Sequence, residues 1–554
     1  MTRRRDPRDE LEDKIERLRA RLRSFARLMP GRRPSTVIVD LTGAYPARTP
    51  RRPFFGLPLP AELGLRQMSV EELRRDTDAL CDARWVKQVV FRIGTLRVGR
   101  LATAYALRQA IASLRKAGKR TTALLTHLDS VSYYLASAAE SVVAAESSEV
   151  SLHGMALSAI FLRDALDRLG IRFEKLAIDE YKNAFDELVR QSMSGPQREQ
   201  YEALIDSLYS QWIDEIAASR RLKPEALRGA LDEGVTSAAR ARELGMIDRI
   251  AYEDEVIGQD AAMFGDAERF LSLRPAVGHR RIAVVSVVGA IVPGQPRRSP
   301  TPIPIVGGIT AGSETMVRCL RAAEEDASTA AIVLHVDSPG GSAVASDLVW
   351  REVKRVRAKK PVVGVMEGVA ASGGYYILAA ANHVIAAPTT ITGSIGVLTG
   401  KVVLDGFLAK HGMNAETVQR GRYALLHHPL RPFSDDERKL VERSNREVYD
   451  RFVDRVAEGR RLTRERVHEL GRGRVWSGVD ALRHGLVDEL GDVQAAVDRA
   501  CDLANVPRGT PTWNVRAPVE TLLPTTSDPT TLLRALEPFV REKTLLLAPL
   551  WVIS

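Results

Sequence analysis

At 554 residues the chain has room for two to four domains, and an apolar share of 45% is ordinary for a globular protein. Its net charge of +10 is unevenly placed: residues 1–33 hold twelve Lys/Arg against six Asp/Glu and supply more than half of the surplus. Three widely spaced cysteines, Cys81, Cys319 and Cys501, exclude a disulfide framework and a cysteine metal site, and read as small buried hydrophobes.

The first predicted element is a helix over 9–29, where Leu11, Ile15, Leu18, Leu22, Phe25 and Met29 form a narrow apolar seam between Arg- and Glu-rich faces. This basic arm, residues 1–34, reads as a short coiled coil or a helix packed on the body; a helix lying on anionic lipid is the sharper alternative. It has neither the aromatic stacking pattern nor the module that nucleic-acid binding needs. Short β-branched runs bounded by turn residues then predict buried strands at 37–41, 89–93 and 122–126, and again at 282–287, 332–336 and 362–366. Helical stretches separate them, so the order predicts parallel strands joined by helical crossovers, an α/β fold. The Pro- and Gly-rich segments at 293–313 and 523–530 read as loops, and 255–280 as a linker. The expected domains are 35–260, 280–505 and an appendage at 506–554. The basic start leads into no apolar run with a cleavage site, and no stretch reaches the roughly 18 apolar residues of a spanning helix. The tail Leu545-Leu-Leu-Ala-Pro-Leu-Trp-Val-Ile553 is too short and is broken by Pro549. A cytoplasmic or peripherally membrane-associated protein is expected.

The two series of strands are one unit written twice. At a constant offset of 242 residues, Ser130-Val-Ser-Tyr-Tyr134 falls on Ser372-Gly-Gly-Tyr-Tyr376, Gly154 on Gly396 and Tyr181 on Tyr423. After a two-residue slip, Arg220-Arg-Leu222 falls on Arg460-Arg-Leu462, and Asp248 on Asp488. The reactive groups differ between the copies. Lys182 falls on Ala424, and Asp337-Ser-Pro-Gly-Gly-Ser342, at an offset of 243, falls on Gly94-Thr-Leu-Arg-Val-Gly99. Copies with different reactive groups predict one composite site, assembled where the halves meet.

In the second copy, the strand at 332–336 runs into Gly340-Gly341, whose backbone N–H groups approach a ligand without obstruction by a Cβ. Such donors form an oxyanion hole; a tight strand-to-helix turn is the plainer reading. Ser372 follows the next strand at or just before a helix N-terminus, as either a nucleophile or an N-cap. Neighbouring parallel strands bring both turns to one sheet edge, which favours the nucleophile. No histidine is well placed as its base: His383 lies eleven residues on, about 16 Å along a continuing helix, and His427 and His428 are the remaining histidine alternatives. Lys182 is the stronger choice because its counterpart is Ala424, although a lone lysine is usually a solvated surface residue. To act as a base near neutral pH, its pKa must fall by about two to three from roughly 10.4, at about 3–4 kcal/mol, which burial between packed elements can impose. Ser394, in Thr392-Gly-Ser-Ile-Gly-Val397, either orients that amine or is an ordinary loop serine; its counterpart is Leu152.

With Tyr181-Lys-Asn-Ala184, Asp337-Ser-Pro-Gly-Gly-Ser342, Ala371-Ser-Gly-Gly-Tyr-Tyr376 and Thr392-Gly-Ser-Ile-Gly-Val397 in order, the chain over about 35–505 resembles the signal peptide peptidase A (protease IV) family in its long, duplicated form. The resemblance implies a tandem crotonase/Clp-protease-like α/β fold, a bowl-shaped homo-oligomer (a tetramer) and cleavage of peptide substrates, notably signal-peptide remnants. It implies Ser372 as nucleophile, Lys182 as general base, Ser394 as the residue orienting the lysine, and Gly340, Gly341 and Gly373 as the oxyanion hole, with no metal or cofactor. Where long members begin with a membrane-spanning helix, this chain has the Arg-rich arm. Two other functions fit the same fold: a crotonase-like acyl-CoA enzyme, with a carboxylate base, and a non-catalytic scaffold.

Overall fold

Parallel strands covered on both faces read as continuous apolar runs, and the strands of this protein do so because they are buried. In a computed structural model the described residues are 33–46, 48, 68–97, 100–271, 280–299, 308–515, 520–521, 545–547 and 552–553. The helix expected over 9–29 and the loop expected over 523–530 lie outside them. The chain divides into two compact units, one of residues 1–155 with 208–279, the other of residues 156–207 with 280–554.

The first unit holds a six-stranded, wholly parallel sheet in the order Arg249–Ile250, Ser141–Ser151, Arg120–Asp129, Gln88–Leu96, Thr36–Gly43, Ala261–Met263. The expected linker at 255–280 therefore contributes the edge strand Ala261–Met263, which pairs with Thr36–Ile38. Helices Val70–Asp82 and Leu101–Lys116 bury Leu73, Leu80, Leu107, Ile111 and Leu114 in this unit's core.

Among its described residues the second unit has two large sheets and a two-stranded pair of Leu157–Ser158 with Val552–Ile553. The first runs Val475–Ser477, Ile391–Gly393, Val362–Ala371, Thr329–Ser338, Arg281–Val288, Thr512–Val515, and is parallel except for the antiparallel edge strand Val475–Ser477. Alternation sorts its side chains: Ala283, Val285 and Val287 enter one core, while Ile282 and Val284 enter another with Ala496, Val497 and Ala500 of helix Val493–Leu503. The second sheet runs Glu520–Thr521, Arg297–Ser299, Gly308–Gly312, Ala290–Val292, Gly340–Ser342, Leu545–Leu547, Leu398–Val403, Arg172–Ala177. Two strands thus stand inside the segment 293–313 expected as loop, and four inside the appendage at 506–554: Thr512–Val515, Glu520–Thr521, Leu545–Leu547 and Val552–Ile553. Among the cysteines, Cys319 and Cys501 are buried, whereas Cys81 is only partly so.

The duplication is visible in matched hydrogen bonds. Tyr133 donates to Met246 O and Tyr375 to Leu486 O, each at 2.9 Å. Asp248 accepts from Val142 N and pairs with Arg220; Asp488 accepts from Val384 N and pairs with Arg460. Among the described residues, no helix is long and apolar enough to cross a membrane.

Candidate active site

Strands Thr329–Ser338 and Val362–Ala371 are parallel neighbours with Ser338 opposite Ala370, so the turns that follow them meet at one sheet edge. Ser372 leaves the second strand with φ 54° and ψ −116°, a conformation that an L-residue holds only under the constraint of its surroundings. Its N–H donates to Gly393 O and its carbonyl accepts from Tyr376 N, each at 2.8 Å. Its hydroxyl caps no helix N–H, which removes the plainer reading of this serine.

The glycines around it are required by contact. A Cβ on Gly373 would stand 2.5 Å from Ser346 Oγ and 3.2 Å from Gly341 N; one on Gly374 would stand 2.7 Å from Ser338 O. Ser-Gly-Gly therefore nests against Asp337–Ser342. Gly340 N–H donates to Ser338 Oγ at 3.1 Å. On its other side, Gly340–Ser342 pairs antiparallel with the chain's own Leu545–Leu547, with Gly341 opposite Leu546, and Leu545 also pairs with Leu398.

Lys182 reaches the same place from an earlier part of the chain. Strand Arg172–Ala177 pairs antiparallel with Leu398–Val403 in unbroken register, Ala177 opposite Leu398. Ile178 N then donates to Val397 O at 2.9 Å, and Tyr181 N to Arg472 O at 3.2 Å. These bonds place the lysine segment in the same compact unit as Ser372. The lysine of the first copy and the serine of the second thus meet within one compact unit, to which residues 156–207 belong.

The Lys182 side chain is 1% exposed. Its Nζ lies 2.8 Å from Ser372 Oγ, 3.0 Å from Ser394 O and 3.0 Å from Ser394 Oγ. A neutral amine has two N–H groups and one lone pair. In that neutral form, giving both N–H groups to the two Ser394 oxygens would leave the lone pair for the Ser372 hydroxyl; as an ammonium, Nζ donates to Ser372 Oγ as well. Burial pushes the amine's pKa well below the ordinary lysine value, and the nearby Lys175 ammonium pushes it further the same way. Ser394 is buried, at φ 50°, and its N–H donates to Arg474 O at 2.7 Å.

The structure brings Ser372, Lys182, Ser394, Gly340, Gly341 and Gly373 together. It gives the three histidine alternatives no hydrogen bond to Ser372: His383 pairs with Glu489 at 2.9 Å, and the described contacts of Ser372 Oγ lead to Lys182. In the first copy, Ser130 Oγ donates to His153 O, and the residue lacks the strained φ of Ser372. Sequence reasoning missed Gly473, whose backbone packs against Lys182, and the polar residues Lys175, Asn183, Asp186 and Gln200 behind the lysine turn. The one available signal was that Lys175, Asn183 and Asp186 fall on Thr417, Leu425 and His428 in the copy without the lysine.

The fold is a duplicated crotonase/Clp-protease-like α/β fold, and its site is a buried amine against a strained serine. Sequence comparison matches Peptidase family S49 over residues 113–263 and 354–507, and Clp protease over 303–392. The chain belongs to peptidase family S49, in the long, duplicated form. It is 33% identical over 417 residues to "Serine protease SPPA, chloroplastic" of Arabidopsis thaliana, covering 72% of this chain and 61% of that protein. It is 32% identical over 418 residues to "Protease 4" of Salmonella typhi and 29% identical over 420 residues to "Protease 4" of Haemophilus influenzae, covering 72% of this chain and 66% of each. The chain thus spans 61–66% of the length of these relatives.

Proposed function

We propose that this chain is a serine endopeptidase that hydrolyses small, extended, apolar peptides such as signal-peptide remnants, with Ser372 as nucleophile and Lys182 as general base. The observation that carries this reading is the 2.8 Å approach of a fully buried lysine amine to a strained serine hydroxyl. Neutral Lys182 takes the hydroxyl proton as Ser372 Oγ bonds to the peptide carbonyl carbon. The carbonyl oxygen, now negative, is held by the amides of the Gly340–Gly341 turn and of Gly373. Gly340 N–H exchanges Ser338 Oγ for that oxygen. The Lys182 ammonium then protonates the leaving nitrogen as the C–N bond breaks. Water, deprotonated by the same amine, releases the acyl group from Ser372. Ser394 keeps the amine aimed throughout.

Covalent labelling tests this directly. At about pH 8 a fluorophosphonate should modify Ser372 alone, as read by peptide mass spectrometry, and Ser372→Ala should take no label. Label on another serine, or none on the wild-type chain, would sink the reading.

The pairing of Leu545–Leu547 with Gly340–Ser342 supports an extended, apolar substrate backbone, because a peptide adding itself as a strand beside that turn would make the same main-chain bonds. Deleting residues 545–554 is therefore expected to raise kcat/KM for short apolar peptides several-fold by removing a competitor. An unchanged or lower value would mean that substrate and tail use different places. Assembly into a homo-oligomer, a tetramer by family resemblance, belongs to the same reading. Val344 and Leu348, one turn apart on helix Ala343–Val356 and 64% and 53% exposed, support it.

A further inference from the structure

A second buried amine stands behind the first. Lys175, on strand Arg172–Ala177, is 9% exposed at its side chain, and its Nζ donates to the Lys182 carbonyl oxygen and to Asp186 Oδ1, each at 2.5 Å. Asp186 is 5% exposed, and its Oδ2 accepts from Asn183 Nδ2 at 2.9 Å. Asn183 Oδ1 accepts from Gln200 Nε2, and Gln200 Oε1 accepts from Val475 N at 3.1 Å. The turn bearing Lys182 is thus clamped from both sides, to its own strand and to the edge strand Val475–Ser477.

Holding a turn does not require ions. A buried Lys–Asp pair carries a desolvation penalty that apolar residues of similar size avoid, so its presence calls for a reason. The duplicated copy supplies one: where it has Ala424 for Lys182, it has Thr417 for Lys175 and His428 for Asp186. The pair and the reacting lysine are absent together.

We propose that Lys175 and Asp186 are positioning residues for the Lys182 amine, the pair fixing the Lys182 carbonyl and setting a carboxylate-supported ammonium behind the group that must accept a proton. The inference rests on the Ser372/Lys182 reading above. Burial pushes the Lys175 amine below the ordinary lysine value and the Asp186 carboxylate opposes that push, so the like charge that disfavours protonation of Lys182 depends on Asp186. Other charges surround the turn. Asp179, Glu180, Glu187 and Arg190 share its segment, Glu199 bonds to Tyr181, and Lys401 and Glu174 stand on the paired strands. Arg472 and Arg474 lie beside Tyr181, and the Tyr449–His468 pair accompanies Arg472. Burial pushes the Glu187 carboxyl up to about 7, inside the working range. The decisive comparison is therefore between variants that all retain Glu187.

The test is the pH dependence of kcat/KM and of fluorophosphonate labelling for the full chain, from about pH 5 to about pH 10. Activity requires neutral Lys182 and falls on the acid side as the amine gains a proton. Lys175→Met should move that acid limb up by about one pH unit. Lys175→Arg, which keeps the charge, should leave it at the wild-type position even if the plateau drops. A Lys175→Met limb at the wild-type pH, or a Lys175→Arg limb that moves equally, overturns the proposal. Should Lys175→Met fail to fold by near-ultraviolet circular dichroism, Asp186→Asn decides. Without the carboxylate, burial acts on Lys175 unopposed and removes its charge, so this limb should also move up, and a limb at the wild-type pH counts against the pair. The dyad reading fails separately, if labelling of the wild-type chain is absent or survives Lys182→Ala.

Discussion

Ser372→Ala and Lys182→Ala are each expected to lower kcat/KM for an apolar fluorogenic peptide by at least about a thousandfold, and the double variant to be no worse than either single one. Non-additivity is the sharper half of the result. An alcohol at pH 7 is a poor nucleophile without a base at hydrogen-bond range, and the base has no other substrate proton to take. Removing one partner therefore leaves the other idle. Ser394→Ala should cost less, because the Ser394 carbonyl still accepts from Lys182 Nζ at 3.0 Å after the hydroxyl is gone. Ser130→Ala should be silent, since that hydroxyl bonds to His153 O and its residue lacks the strained φ of Ser372. Full activity in Lys182→Ala, with Ser372 still labelled, would assign the base elsewhere.

Much of this site was legible because the chain carries its own control. Two copies in gapless register turn a lysine, which alone reads as surface, into a difference against Ala424. The strand positions and the α/β class followed from β-branched runs, whose burial on both faces the structure bears out at Arg281–Val288 and Thr329–Ser338. Ser372 could not be settled from residue types, because a helix cap and a nucleophile turn use the same ones; φ 54° and the missing side-chain cap bond count against the cap and support the proposed nucleophile. The strands Arg297–Ser299 and Gly308–Gly312 read as loops because proline and glycine dominate the segment and their pairing comes from distant partners. The unit boundaries were illegible for the same reason. What draws residues 156–207 into the unit of Ser372 is the register of Arg172–Ala177 on Leu398–Val403, a contact more than two hundred residues apart in the chain.

Gly473→Ala is the second large effect expected, at a residue far from any recognisable motif. Gly473 has φ +88°, and a Cβ there would stand 2.4 Å from Lys182 N, 2.5 Å from its Cα and 2.6 Å from its Cβ. All but the last are backbone atoms, so no side-chain rotation relieves the overlap. The lysine turn must shift, and it is tied at Tyr181 N to Arg472 O and at Lys182 O to Lys175. Gly473 itself donates to Ile395 O at 2.8 Å, next to Ser394. A displacement of about 1 Å at a reacting group is enough to lower a rate about a hundredfold, which is the expected loss in kcat/KM. Positive φ alone would also cost stability, of order 1–2 kcal/mol for an L-residue. Gly421→Ala separates the two effects. Gly421 has φ +91° with nothing within 4 Å of the added Cβ, so it carries the backbone strain without the overlap. Gly421→Ala should lose some thermal stability and keep its activity, while Gly473→Ala loses both. Equal activity in the two variants would show that the lysine turn tolerates displacement, and that the amine does not depend on this glycine for its approach to Ser372.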